Sequence, residues 1–165
     1  MISATESMCS WLVGRYGERL VSVKALFHVF DLAVNGRPQE IELSFEYSGL
    51  VRVFGGAGGA SICFSPVPMS SCDLGEYGRQ GIFDVSHESS FNDVVGSELK
   101  SVAVVKSFAM DAPVGVVFSF LNGSSVSVIN LGDELFIFDQ LSADLIFSEG
   151  LSFVSLDVRG GEGLQ

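Results

Sequence analysis

A chain of 165 residues is long enough to bury a substantial core within one domain. Its formal net charge of −11 excludes a role resting on clustered basic contacts to nucleic acid. Hydrophobic residues make up 47% of it, with 14 Phe and 19 Gly against 4 Pro and 3 Lys, a balance that favours half-buried strands joined by glycine turns. Apolar runs are short and broken by Ser, Gly or Asp, so none has the length of a membrane-crossing helix.

In chain order, Met1 to Ser7 lacks a basic start and carries Glu6 before any apolar stretch, which is unlike a secretory signal. The expected location is therefore the cytoplasm. Ser3 with Glu6 fits a capping box ahead of a helix near Ser7 to Val13. A strand containing Ala25 to Phe30 follows, with His28 as a structural side chain. Glu40 to Glu46 alternates strictly, turning Ile41, Leu43 and Phe45 to the core and Glu42, Ser44 and Glu46 outward. Closing the turn through Tyr47-Ser48-Gly49 predicts Phe45 opposite Val51, Leu43 opposite Val53 and Ser44 across from Arg52.

Gly55-Gly56-Ala57-Gly58-Gly59 is rich enough in glycine to suggest a phosphate cradle. Neither the Gly-Lys-Ser/Thr ending nor a following helix pattern is present, so a β-turn is expected. Residues 66–89 form a Ser-, Gly- and Pro-rich linker with one short strand, Gly81 to Val85. Asp84, His87 and Glu88 lie within it, but no second acid or nucleophile is spaced to work with them, so a solvated loop is expected. Ser90 with Asp93 caps a second helix, Phe91 to Val95, stopped by Gly96.

The second half repeats the first. Gly17 to Val23 resembles Gly96 to Val102, and Leu43-Ser44-Phe45 recurs as Phe118-Ser119-Phe120. Val51-Arg52-Val53 recurs as Val126-Ser127-Val128, and Ser61 to Phe64 as Leu135 to Phe138, at a spacing of 75 to 79 residues or close to it. A fixed-period repeat sets the architecture. The expected fold is mainly β: one domain over 1–165 with two similar antiparallel meanders (about 17–64 and 96–138), packed as a sandwich or partly closed barrel with one or two short helices. Asn122-Gly123 would give a two-residue turn, but that register inverts the faces, so a three-residue loop or bulge is expected. Val117 and Ser119 replace Glu42 and Ser44, which predicts a more covered outer face. Leu145 to Phe147 and Leu151 to Val158 read as late strands, and 160–165 as a frayed tail.

Cys9, Cys63 and Cys72 are odd in number and far apart, which implies reduced cysteines, most of them packed inside. Asp133-Glu134 at a strand entrance lacks the further oxygen ligands of a hard-metal site. No metal, cofactor or catalytic residue is assigned.

Between Lys106 and Arg159 there is no basic residue, while Asp111, Asp133, Glu134, Asp139, Asp144, Glu149 and Asp157 fall there. Such a stretch serves solubility, or forms a negative patch for a basic protein partner. In the second reading Asp133, Glu134, Asp139, Asp144 and Glu149 are the partner-binding residues.

Phe118 to Gly123, followed by Val126 to Leu135, resembles small bacterial proteins similar to the immunity proteins of polymorphic toxin systems. That resemblance implies a non-catalytic binding module that neutralises a cognate toxin by covering its active site. It assigns no residue a role. The alternative is an enzyme or small-molecule binder whose polar pocket is assembled only in three dimensions, told apart by a deep pocket of converging ionisable groups.

Overall fold

The computed structural model describes residues 4–57, 59–108 and 112–157, with side chains from residue 7 onward. Helix α1 (Ala4–Val13) leads into strands β1 (Leu20–Phe30), β2 (Ala33–Phe45), β3 (Gly49–Gly55) and β4 (Ile62–Ser65). Next come β5 (Cys72–Asp73), a 3-10 turn (Gly75–Tyr77) and β6 (Arg79–Asp84). The second half comprises α2 (Ser89–Asn92), β7 (Leu99–Ser107), β8 (Gly115–Phe120), β9 (Ser125–Asn130), β10 (Leu135–Phe138), α3 (Ala143–Ser148) and β11 (Leu151–Ser155). Among the described residues there are two antiparallel sheets, one of them a half-barrel, ordered β4-β3-β2-β1-β6-β5 and β10-β9-β8-β7-β11.

The two orders are the same meander written twice, and the registers agree. Leu43 pairs with Val23 and Val51, while Phe118 pairs with Val102 and Val126. Both first strands carry a bulge at the corresponding place, between Leu20 and Ser22 and between Leu99 and Ser101. The halves meet about an approximate two-fold axis. Gly17 donates to Leu99 O (2.8 Å) and Gly96 to Leu20 O (2.7 Å); Leu20 donates to Ser97 O (3.0 Å) and Leu99 to Glu18 O (2.8 Å). Arg19 and Glu98, equivalent residues, form a β-bridge at the centre. Gly17 and Gly96 both take φ near +90° at this junction (89° and 91°), a conformation that disfavours a side chain.

The inner faces share one core. Leu20, Val23, Ile41, Leu43, Val51 and Val53 of the first sheet pack with Leu99, Val102, Val116, Phe118, Val126 and Val128 of the second. Met8 and Leu12 of α1 and Phe91 with Val94 beside α2 close its ends.

Both meander registers sit two residues tighter than expected. Phe45 pairs with Gly49 rather than Val51, and in the second meander, where the expected three-residue loop would set Phe120 opposite Val126, Val126 pairs with Phe118. A shift of two keeps each side chain on its face, so the core assignments stand. Leu121-Asn122-Gly123 forms a three-residue loop, closed by Phe120 N to Ser124 O (2.9 Å).

Other expectations are corrected. Glu42 does face away from the core, yet it is only 5% exposed, because the linker crosses it and Met69 N donates to its Oε1 (3.0 Å). Arg52 instead pairs with Glu40 (3.0 Å), two residues along on the same face. Leu145 to Phe147 is helical, in α3, where the Ser142 hydroxyl caps Leu145 N (3.1 Å). Helix α2 begins after Glu88 without a side-chain cap, so Ser90 does not cap its start, and Asp93 stands at its C-terminal end. Cys72 is exposed, while Cys9 and Cys63 are half-buried. The Ser3–Glu6 capping pair, Gly58, Asp111, Val158, Arg159 and the 160–165 tail lie outside the described residues or side chains.

The outer face of the second sheet is covered, as its composition suggested. Val105, Val114, Ile129, Leu141 and Leu151 form a smaller cluster there, with Leu145 and Ile146 of α3 packed on it.

At the bulges the two halves solve one problem differently. In the first, the Ser86 hydroxyl accepts from Val23 N (2.9 Å); in the second, Tyr16 Oη accepts from Val102 N (3.0 Å) and donates to Leu156 O (2.8 Å). Burial of Tyr16 raises its phenolic pKa and keeps it a donor. Tyr16→Phe is expected to lower the unfolding free energy by about 1–3 kcal/mol, since two main-chain groups lose their partner. Urea denaturation measures it, and an unchanged midpoint would show that water replaces the hydroxyl.

Candidate binding cleft

Strands β1 and β2 are joined by the two-residue turn Asp31-Leu32. Both residues have positive φ (53° and 67°), as a type I′ turn requires. Leu32 is 101% exposed at its tip, flanked by Phe30 (51%) and Val34 (49%). A leucine in the left-handed region costs about 1–2 kcal/mol and here gains no burial in return.

Below the tip the pairing breaks. Leu26 faces Glu40 and His28 faces Asn35, so Gly36-Arg37-Pro38-Gln39 stands opposite Phe27 alone. Gly36 supplies a positive φ (77°) and Pro38 has no N–H for a ladder, so the strand bows outward here. The bow carries Arg37 to the second sheet. Its guanidinium lies 3.7 Å over the Phe136 ring, and its Nε stands 3.9 Å from Glu134 Oε2.

Between the bow and the second sheet lies a cleft of about 520 Å³, within the usual size range of ligand sites. His28, Gln39 and Gln80 line one part; Phe54, Asn130, Asp133 and Glu134 line another. His28 Nε2 donates to Tyr77 O (2.6 Å), and Gln80 Nε2 to Gln39 Oε1 (3.0 Å). Asp133 has φ 71° in the turn Gly132-Asp133, which is closed by Leu131 N to Glu134 O (2.9 Å). Asn130 is 4% exposed; its Nδ2 donates to Ser61 O (2.8 Å), and its Oδ1 has no hydrogen-bond partner. A buried acceptor left so costs roughly 1–3 kcal/mol.

Three carboxylates lining the cleft, Glu40, Asp133 and Glu134, face one guanidinium, Arg37. Glu40 is engaged by Arg52, but the 3.9 Å separation of Arg37 and Glu134 is too long for a hydrogen bond.

The five acidic residues singled out in the sequence are all exposed and divide into two groups. Asp133 and Glu134 belong to the cleft. Asp139 follows the far end of β10, about 16 Å of extended strand from Glu134. Asp144 lies in the first turn of α3 and Glu149 caps its C-terminus.

Asp84, His87 and Glu88 are exposed. Hydrogen bonds from Ser86, its hydroxyl and then its backbone N–H, hold the Asp84 carboxyl below the usual range. Of the glycine run, Gly55 ends β3 and Gly56 follows it, its N donating to Ser61 O (2.9 Å). Among the described residues no three His, Cys, Asp or Glu side chains gather as a metal site.

Sequence reasoning missed His28, Gln39, Gln80, Asn130 and the hairpin tip. The one available signal was Gly36 and Pro38, which interrupt a strand only where it bulges or ends. Compared with protein-family models, curated proteins and solved structures, the chain has no match in any of the three.

Proposed function

We propose that this chain is a non-catalytic protein-binding module that meets a basic protein partner. On the resemblance of its second half, it acts as an immunity-type inhibitor in the cytoplasm, covering the active site of a toxin. The observation that carries the binding reading is the hairpin tip. Phe30, Leu32 and Val34 are held out to solvent by a turn that disfavours leucine, on the same hairpin whose His28, Asn35 and Gly36 line the cleft shared with Asp133 and Glu134. Strained, exposed apolar side chains beside charge are what an interface anchor with a polar rim requires. The test is affinity capture from the native host with wild-type protein and with Phe30→Ser, followed by measured binding of the captured protein. Equal capture by both forms would remove the hairpin from the interface and the reading with it.

Asp139, Asp144 and Glu149 form a second acidic area in this proposal, acting on encounter rather than on the contact itself. Charge reversal at Asp139 and Asp144 is expected to lower the association rate several-fold and flatten its salt dependence, with little change in stability. Stopped-flow binding at several ionic strengths measures this. A rate indifferent to both would assign the acidic area to solubility.

A further inference from the structure

The geometry points to the cleft as the receptor for a single basic side chain of the partner, a lysine ammonium or an arginine guanidinium. This rests on the protein-binding reading and names the group recognised. Of the three lining carboxylates Glu40 is already paired with Arg52, so Asp133 and Glu134 against Arg37 leave the cleft a formal excess of one negative charge. Its own cation, Arg37, stacks on Phe136 and makes only a long ion pair with Glu134, at 3.9 Å. That spacing leaves Glu134 able to take a closer donor, and Asp133 stands beside it on the turn. Asn130, held by Ser61 through Nδ2, contributes a buried acceptor without a donor. Two exposed carboxylates and one unpartnered amide oxygen suit a ligand that carries N–H donors and a positive charge. A metal ion fits less well, because no three potential ligand side chains gather there among the described residues.

The test uses the full chain without its partner. Its ¹⁵N-labelled side-chain amides of Asn130, Gln39 and Gln80 are followed during titration with N-acetyl-arginine amide, N-acetyl-lysine amide and, as the uncharged control, N-acetyl-norleucine amide. The cationic probes are expected to shift these resonances with millimolar dissociation constants, on the order of 1–10 mM. The norleucine probe should not. Binding should weaken at least about tenfold in Glu134→Gln and in Asp133→Asn, and stay unchanged in Glu46→Gln, an exposed carboxylate outside the cleft. Absence of cation-selective shifts, or full binding by Glu134→Gln, would overturn the proposal while leaving hairpin-mediated partner binding intact. A second arm measures partner affinity for Glu134→Gln. A loss of about tenfold or more supports a partner side chain as the occupant. An unchanged affinity, with the probes still binding, would instead make the cleft a site for free amines and overturn the partner assignment.

Discussion

Replacing Phe118 by alanine is expected to lower the unfolding free energy by about 3–5 kcal/mol, a large part of the stability of a chain this size. Phe118 has no exposed surface and sits on the central strand of the second sheet, between Val102 and Val126. Its loss removes apolar burial and leaves a cavity that the surrounding strands cannot fill, because main-chain pairing holds them on both sides. Leu43 occupies the same place in the first sheet, also fully buried, between Val23 and Val51. Leu43→Ala is expected to cost about 2–5 kcal/mol by the same mechanism. Since both face one core, each substitution should unfold the protein in a single urea transition with a shifted midpoint and an unchanged slope. Two separate transitions in either variant would show that the sheets have independent cores. Phe118→Leu, which retains most of the volume, provides a milder measurement if the alanine form is too unstable to isolate.

Leu32→Gly is expected to move stability and binding in opposite directions. Asp-Gly is a preferred pair for a type I′ turn, and glycine removes the left-handed penalty of leucine, so the variant should gain about 1 kcal/mol. Glycine's greater freedom in the unfolded chain subtracts a few tenths from that gain. Nothing is lost from the core, as Leu32 is fully exposed. Partner affinity, in contrast, should fall by at least about 2 kcal/mol, roughly thirtyfold, if the side chain is an interface anchor. Thermal denaturation and equilibrium binding on the same preparation measure the pair. A stabilised variant that binds as well as wild type would mean that the exposed leucine has no part in recognition.

The meander of each half was legible in the sequence because it occurs twice, whereas the order of all the strands within the sheets was not. Leu43-Ser44-Phe45 and Phe118-Ser119-Phe120 mark the same strand, and alternation placed their side chains on the correct face. Register was less legible: turn closure can shift by two residues without moving any side chain to the other face. Leu145-Ile146-Phe147 illustrates a different limit. Three apolar residues fit a strand or one side of a helix equally well, and the deciding group is the Ser142 cap. The burial of Glu42 was not legible at all, since it depends on where the distant Met69 segment crosses the sheet. The same holds for the cleft. His28, Gln80 and Asn130 are far apart in the chain and converge only because β2 bows toward the second sheet.

The junction at Arg19 and Glu98 has a consequence for how such a cleft can exist. Two identical subunits meeting through those bonds would display every protrusion twice, so lengthening one hairpin would lengthen both. Covalent joining removes that constraint. Here β2 runs for 13 residues with its bow and tip, while its counterpart β8 has 6. The cleft combines the long strand of one half with the β9–β10 turn of the other, and the symmetry-related location lacks the long strand. One polypeptide thereby keeps the mechanical economy of a two-fold assembly while presenting a single, unduplicated cleft.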